Sequence, residues 1–189
     1  MKHRYLTIKQ MVIMIKKPGR TACQKVLSQE YSRFKTAPGA SHNHHVWKGG
    51  YLDHVQESMN IGIVLYHLFK DIRPLPFSLS DALLILFLHD IEKPWRYAKN
   101  NKEKKLLRTK EQRRIFQNQK LAEYGFKLTK EQQNAMRYVE GELEDYSPLK
   151  RVMNPLAAFC HLADITSARI WFDHPLTKND PWRGSKRGT

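Results

Sequence analysis

The sequence predicts an all-α protein that folds as one bundle of about six to eight helices. Two observations carry this prediction. Apolar residues recur at helical spacing along most of the chain, and no turn dipeptide joins two runs of alternating polarity, so strand signals are scarce. A length of 189 residues with 41% hydrophobic residues is also enough for a single domain with a real core.

The first half of the chain is predicted to contain three helices. The first covers about 19–35, after KKPG, and the loop SHNHHVWKGG follows it. A long helix over about 51–69 ends at RPLPF, and Ser78 or Ser80 can cap the next helix, DALLILFLHDI. That helix must end before Pro94, because proline disfavours a helical conformation of the residue before it.

The second half is predicted to begin with a lysine-rich connector over 99–110. The helix KEQRRIFQNQKLAEY follows and stops at Gly125, and Thr129 caps the helix KEQQNAMRYVEGELE. The last strong helix covers about 155–172, and the Pro-, Gly- and Lys/Arg-rich tail from Asp173 is expected to be loose.

The charge balance favours an anionic partner. The chain has 33 Lys and Arg against 18 Asp and Glu, which gives a net charge of +15. Such an excess suits nucleic acid, a nucleotide or an anionic membrane surface, although a solvated basic face is the plainer alternative. The longest apolar run, ALLILFL, is far shorter than the roughly 20 residues of a membrane helix, and two cysteines make no disulfide framework. We therefore expect a cytoplasmic protein with no membrane partner.

Four polar residues stand inside or at the ends of apolar helices: His54, the adjacent pair His89 and Asp90, and Asp164. Burying one such side chain without a partner costs roughly 1–3 kcal/mol even on a lenient scale. One divalent cation would account for all four, because imidazoles and carboxylates together suit Mn, Fe, Zn, Co or Ni, and less well Mg or Ca. Neighbouring side chains at a helix end point about 100° apart, so both members of the pair can reach an ion over the helix terminus.

The segments that carry these residues resemble those of the HD superfamily of metal-dependent phosphohydrolases. HHVWKGGYLDH resembles the segment with the first metal histidine in HD-type phosphodiesterases, including the 3′-to-5′ exoribonuclease branch. LFLHDIEK looks like the His-Asp segment, and HLADITSA resembles the closing helix. The likeness spans about 40–172, which leaves residues 1–39 as a helical extension of the same domain and 173–189 as a basic tail. Glu92 departs from the pattern, since many relatives have glycine there.

The resemblance implies an HD-type helical bundle with its metal site between helices. The implied metal ligands are His54, His89, Asp90 and Asp164. The expected catalytic residues are Asp90, Lys93 and Glu92, of which Lys93 holds a phosphate and an acidic group takes a proton from water. The expected substrate contacts are His44, His45, Lys93 and Arg96.

We expect one ion rather than two, because His161 is the only histidine between Asp90 and Asp164 and two-metal relatives draw further histidines from that stretch. Mn, Fe, Co or Ni is the expected metal, with Mg or Zn as alternatives. His161 itself is either a group that orients a ligand or a packed histidine.

Three functions fit the sequence. The first is hydrolysis of a nucleoside mono- or triphosphate. The second is phosphodiester hydrolysis of RNA, single-stranded DNA or a cyclic oligonucleotide, towards which the HHVWKGGYLDH likeness and the basic charge lean. The third is a non-catalytic basic module that binds nucleic acid and keeps a degenerate metal site. The small size of the chain favours a nucleotide or a short nucleic acid as the substrate, and a homo-oligomer stays open.

Overall fold

Eight α-helices make up most of the described part of the chain, residues 4–97 and 107–172, and no β-strand occurs in these two ranges. The structure is a computed structural model. Its helices are α1 (Ile8–Met14), α2 (Gly19–Phe34), α3 (Gly50–Ile72), α4 (Leu79–Leu88), α5 (Lys93–Arg96), α6 (Lys110–Tyr124), α7 (Lys130–Tyr138) and α8 (Pro155–Arg169), with a 3₁₀ turn at Leu143–Asp145. The all-α prediction is confirmed.

The core is built around α4. Every residue from Ala82 to Leu88 is buried, because the sequence ALLILFL offers no polar face to solvent. Helices α3 and α8 pack against α4 and against each other, while α1 and α7 also contact it. The helices that surround α4 therefore also surround its C-terminal end, where His89 follows.

Side-chain caps explain where most of these helices begin. In four helices the hydroxyl of the capping residue accepts a hydrogen bond from the backbone amide of the residue three positions later. The side chain of that later residue accepts a hydrogen bond from the backbone amide of the capping residue in return. These pairs are Thr7 with Gln10, Ser78 with Asp81, Thr109 with Gln112, and Thr129 with Gln132. The side chain of Asn154 caps α8 in a similar way.

Most predicted elements are confirmed, with shifted ends. Helix α3 continues to Ile72 rather than residue 69, and Ser78 rather than Ser80 caps α4. The prediction of one helix over 130–144 was wrong in length, because α7 ends at Tyr138 and Gly141 then adopts a left-handed φ of 105°. The last helix likewise ends at Arg169 rather than residue 172.

Helix α1 was not predicted. It buries Ile8, Met11 and Val12 against α2, α3 and α4. The side chain of Asn60 on α3 accepts a hydrogen bond from the Leu6 amide and donates one to the Leu6 carbonyl, both at 2.8 Å. The first helix of the chain therefore shares the core that α3 and α4 build.

Two predicted segments lie partly or wholly outside the described residues: the connector over 99–110, of which 99–106 are not described, and the tail from Asp173. Among the described helices, none combines the length and the apolar character that a membrane crossing requires.

Candidate metal centre

The four polar residues singled out in the sequence come together at the C-terminal end of α4. His89 is the C-cap of that helix, and Asp90 follows it in the next turn. Helix α3 supplies His54 and helix α8 supplies Asp164 from the other two sides. His54, His89 and Asp90 are at most 4% exposed, so the cluster lies inside the protein.

The atoms of this cluster are spaced as ligands of one ion would be. His54 Nε2 lies 3.2 Å from His89 Nε2, 3.4 Å from Asp90 Oδ2 and 3.0 Å from Asp164 Oδ1. His89 Nε2 lies 3.2 Å from Asp90 Oδ2 and 3.3 Å from Asp164 Oδ1. Bonds of about 2.1 Å place neighbouring ligands about 3.0 Å apart in an octahedron and about 3.4 Å apart in a tetrahedron. The observed distances cover this interval.

The hydrogen bond on the far side of the His89 ring favours ligation. Its Nδ1 lies 2.8 Å from the carbonyl oxygen of Leu86, which can only accept, so Nδ1 carries a hydrogen. In the neutral ring Nε2 then presents a lone pair to the cluster. The backbone of the preceding turn thus holds this imidazole in the orientation that a metal ligand needs.

The pKa shifts of Asp90 and His89 also favour a bound cation. Burial opposes ionisation of Asp90, but Lys93, 2.5 Å away, and His89 outweigh it and hold the pKa of Asp90 well below its usual range. Burial also opposes charge on His89, yet Asp90 and Asp164 raise its pKa well above the usual value. These carboxylates thus favour a positive charge at the site, which His89 carries when protonated. Metal ligation requires neutral imidazoles, and two carboxylates would then face the single ammonium of Lys93. A cation between them would compensate the remaining negative charge.

Glu92 is the other buried acid of the site. Burial, and then the nearby charge of Asp90, raise its pKa to about 7. Within the described part of the chain, its Oε2 has no hydrogen-bond partner. Glu92 and His89 both line a cavity of about 620 Å³ that opens between α6 and α7. The carboxyl group therefore lies next to the cluster and beside space that a ligand could enter.

The histidine loop, residues 41–49, covers the cluster from the α3 side. Its His44 and His45 rings lie 4.8 and 5.1 Å from the ring of His54, measured between centroids. His45 is fully buried and has a left-handed φ of 50°, whereas His44 is half-buried. Burial, followed by the nearby His54 and Lys93, lowers the pKa of His44 to about 3. The half-buried His44 is the member of the pair with surface to offer a ligand.

The backbone of the loop is held at His45. The His45 carbonyl accepts a hydrogen bond from the Gly39 amide at 2.7 Å, and its amide donates to the carbonyl of Phe172 at 2.9 Å. Together with His54, the two loop histidines form a second group whose ligand atoms lie within 4.8 Å of one another. This second group shares His54 with the first.

The remaining predicted residues lie at the edges of the site. Lys93 contacts Asp90 directly, whereas Arg96 is half-buried and its guanidinium lies 5.2 Å from the centre of the Tyr97 ring. The Nδ1 of His161 lies 2.7 Å from the carbonyl of Val139, a bond that suits a packed histidine.

Sequence reasoning missed two residues behind His54: Ser167, which contacts its ring, and Glu57, which contacts Ser167. Ser167 Oγ lies 3.0 Å from His54 Nδ1 and donates to Glu57 Oε1 at 2.9 Å. Both side chains are buried, and each follows a cluster residue of its own helix by three positions. The signal in the sequence was this spacing, Glu57 after His54 and Ser167 after Asp164, which places each pair on one helix face.

No protein-family model, curated protein or solved structure matches this chain. Its structure defines an all-helical protein with a buried histidine and aspartate cluster that could hold a metal ion.

Proposed function

We propose that this protein is a metal-dependent phosphohydrolase of the HD type that hydrolyses a phosphate ester of a nucleotide. One observation carries the proposal: two imidazole nitrogens and two carboxylate oxygens from α3, α8 and the turn after α4 converge at ligand spacing. The resemblance of the three surrounding sequence segments to HD-type enzymes supports the reaction class, and the charge of +15 supports an anionic substrate.

A divalent ion in this position supplies two effects: it lowers the pKa of a bound water and polarises a phosphoryl oxygen. The protein supplies the surrounding charge. Lys93 holds an ammonium beside Asp90, where it can offset negative charge that builds up on a phosphoryl group. We assign the substrate contact to His44 rather than His45, because His44 is half-buried whereas His45 has no exposed surface.

Glu92 is our candidate for proton transfer. Its Oε2 is buried and has no hydrogen-bond partner among the described residues, and its side chain borders the cavity beside His89. A carboxylate in that position can accept the proton of an attacking water at Oε2. Asp90 suits this role less well, because Lys93 already pairs with the carboxylate oxygen that faces the cluster.

The test combines metal analysis with a substrate panel. The purified protein is analysed for bound metal, stripped with a chelator and reloaded with Mn, Fe, Co, Ni, Zn or Mg. Each form is then assayed with nucleoside mono- and triphosphates, a cyclic dinucleotide, short RNA and bis-p-nitrophenyl phosphate. We expect about one transition ion per chain and metal-dependent release of phosphate from a nucleotide. Hydrolysis of the cyclic dinucleotide, RNA or bis-p-nitrophenyl phosphate without hydrolysis of the nucleoside phosphates would show that the substrate is a phosphodiester and not a nucleoside phosphate.

Three variants separate the parts of the proposal. His89→Ala should lose both metal and turnover, while His67→Ala, an exposed histidine of α3, should change neither. Lys93→Met should keep the metal, since it removes a positive charge beside the ligands, but should turn over slowly. Full activity in His89→Ala would refute the proposal. Salt-sensitive RNA binding without metal or turnover would favour the non-catalytic module instead.

A further inference from the structure

The ring of His54 is held from behind by a buried chain of side chains. His54 Nδ1 faces Ser167 Oγ at 3.0 Å, Ser167 Oγ faces Glu57 Oε1 at 2.9 Å, and Glu57 Oε1 lies 3.7 Å from His45 Nε2. All four residues are at most 5% exposed. Water therefore does not compete for these contacts, and the direction of each hydrogen bond is set by the protein groups alone.

The direction follows from what each atom can donate. A carboxylate oxygen only accepts, so the hydroxyl hydrogen of Ser167 is committed to Glu57. Ser167 Oγ can then only accept from the ring, which places the hydrogen of the neutral imidazole on His54 Nδ1. The other nitrogen, Nε2, faces His89, Asp90 and Asp164, whose carboxylates would otherwise attract the ring hydrogen. Holding that hydrogen on Nδ1 leaves Nε2 with a lone pair.

We propose that Ser167 and Glu57 are positioning residues that fix the tautomer and orientation of His54, so that its Nε2 is ready to bind the metal. This inference rests on the metal centre of the proposed function. It gives the α3–α8 contact a chemical purpose, since α3 carries His54 and Glu57 one turn apart while α8 carries Asp164 and Ser167 one turn apart. Each helix thus supplies one cluster residue and one group that supports His54.

The support for His54 differs from that of its neighbour. The Nδ1 of His89 bonds to a backbone carbonyl of its own helix, an acceptor that no substitution removes. The orientation of His54 depends on the side chains of Ser167 and Glu57. A substitution of either residue can therefore change the tautomer of His54. Removing groups of this kind typically weakens metal binding by roughly 10- to 100-fold.

Two variants break the chain at different points. Ser167→Ala removes the acceptor for His54 Nδ1–H. Glu57→Met keeps the length of the side chain but removes the acceptor of the Ser167 hydroxyl. That hydroxyl is then free to donate to His54 Nδ1, which moves the ring hydrogen to Nε2. The matched control is Ser58→Ala, because Ser58 is a fully buried hydroxyl on α3 that has no hydrogen-bond partner among the described residues.

Two readouts decide the matter, with folding checked by circular dichroism. Titration of the metal-free proteins with Mn²⁺ or Co²⁺ should give equal affinity for the unmodified protein and Ser58→Ala, and roughly 10- to 100-fold weaker binding for Ser167→Ala and Glu57→Met. Nitrogen-15 NMR of the unmodified, metal-free protein at a pH where the imidazole is neutral should show His54 with hydrogen on Nδ1. In folded Glu57→Met the hydrogen should move to Nε2.

The outcomes keep this proposal apart from the proposed function. An unmodified protein that binds no divalent metal but shows the Nδ1–H tautomer would refute the metal enzyme and leave the positioning chain in place. Hydrogen on Nε2 in the unmodified protein would overturn the positioning role, whether or not the variants fold. Folded Ser167→Ala with unchanged metal affinity would overturn it as well.

Discussion

Gly50, the first residue of α3, is a site where one added methyl group should disturb the histidine loop. A Cβ at this position would lie 1.9 Å from the carbonyl oxygen of His45 and 2.7 Å from the carbonyl carbon. Both are backbone atoms, so a change of rotamer cannot relieve the clash. The loop or the first turn of α3 would have to retreat by roughly 1.5 Å before an ordinary contact is restored.

The cost of Gly50→Ala can be worked out from what that retreat breaks. The same carbonyl of His45 accepts the 2.7 Å hydrogen bond from Gly39, and losing it costs about 1 kcal/mol. Forcing packed backbone apart adds about 1–3 kcal/mol. The sum of roughly 2–4 kcal/mol is a large part of a typical stability of about 5–15 kcal/mol, and it should lower the Tm by roughly 4–16 °C.

Urea unfolding followed by circular dichroism measures this loss, and Gly19→Ala is the matched control. An added Cβ at Gly19 meets only side-chain methyls of Ile15 and Leu84 at 3.4 Å, and this position lies at the start of α2. We expect that variant to be neutral or more stable by about 0.4–1 kcal/mol. If Gly50→Ala had the same free energy of unfolding as Gly19→Ala, that result would contradict the close packing of α3 against the histidine loop.

Three further predictions concern the scaffold of the site. Asn154→Ala removes the side chain that caps α8 at 2.7 Å and should cost about 0.5–2 kcal/mol in the free energy of unfolding, measured in urea. Leu86→Ala leaves a cavity in the buried stretch of α4 and should cost about 2–5 kcal/mol, whereas Leu149→Ala, at a side chain that is 95% exposed, should leave the unfolding midpoint unchanged. Burial raises the pKa of the Cys23 and Cys160 thiols, so both should resist a thiol reagent at pH 8 until urea unfolds the chain. Because the unfolded thiols ionise near pH 8.5 and the folded ones do not, stability should fall as pH rises above about 8.5, and a flat profile there would contradict the burial of both cysteines.

The sequence was most informative where polar residues interrupt an apolar helix. His54, His89, Asp90 and Asp164 could be singled out because each would be costly to bury alone, and the structure brings all four together. Their distances could not be predicted, since these depend on how α3, α4 and α8 pack.

Other features were out of reach for identifiable physical reasons. Glu57 and Ser167 bond to each other across two helices, 110 positions apart, so their spacing from His54 and Asp164 was the one signal in the sequence and did not reveal that they meet. The left-handed backbone of His45 accompanies hydrogen bonds with Gly39 and Phe172, and the second of these partners lies far away in sequence. Helix α1 had a local signal, the Thr7 cap before apolar residues at helical spacing, but its seven residues are too few for periodicity alone to stand out.

The order of the cluster residues along the chain has a consequence for biosynthesis. Asp164 and Ser167, and the Phe172 carbonyl that holds the histidine loop, all follow residue 160, so a ribosome delivers them after α4 has been made. Of the four residues of the cluster, a nascent chain that stops before α8 offers an ion only His54, His89 and Asp90, and Ser167 does not yet support His54. An ion that needs Asp164 would therefore bind only after α8 has been made, and its binding would then add to the stability of the folded state.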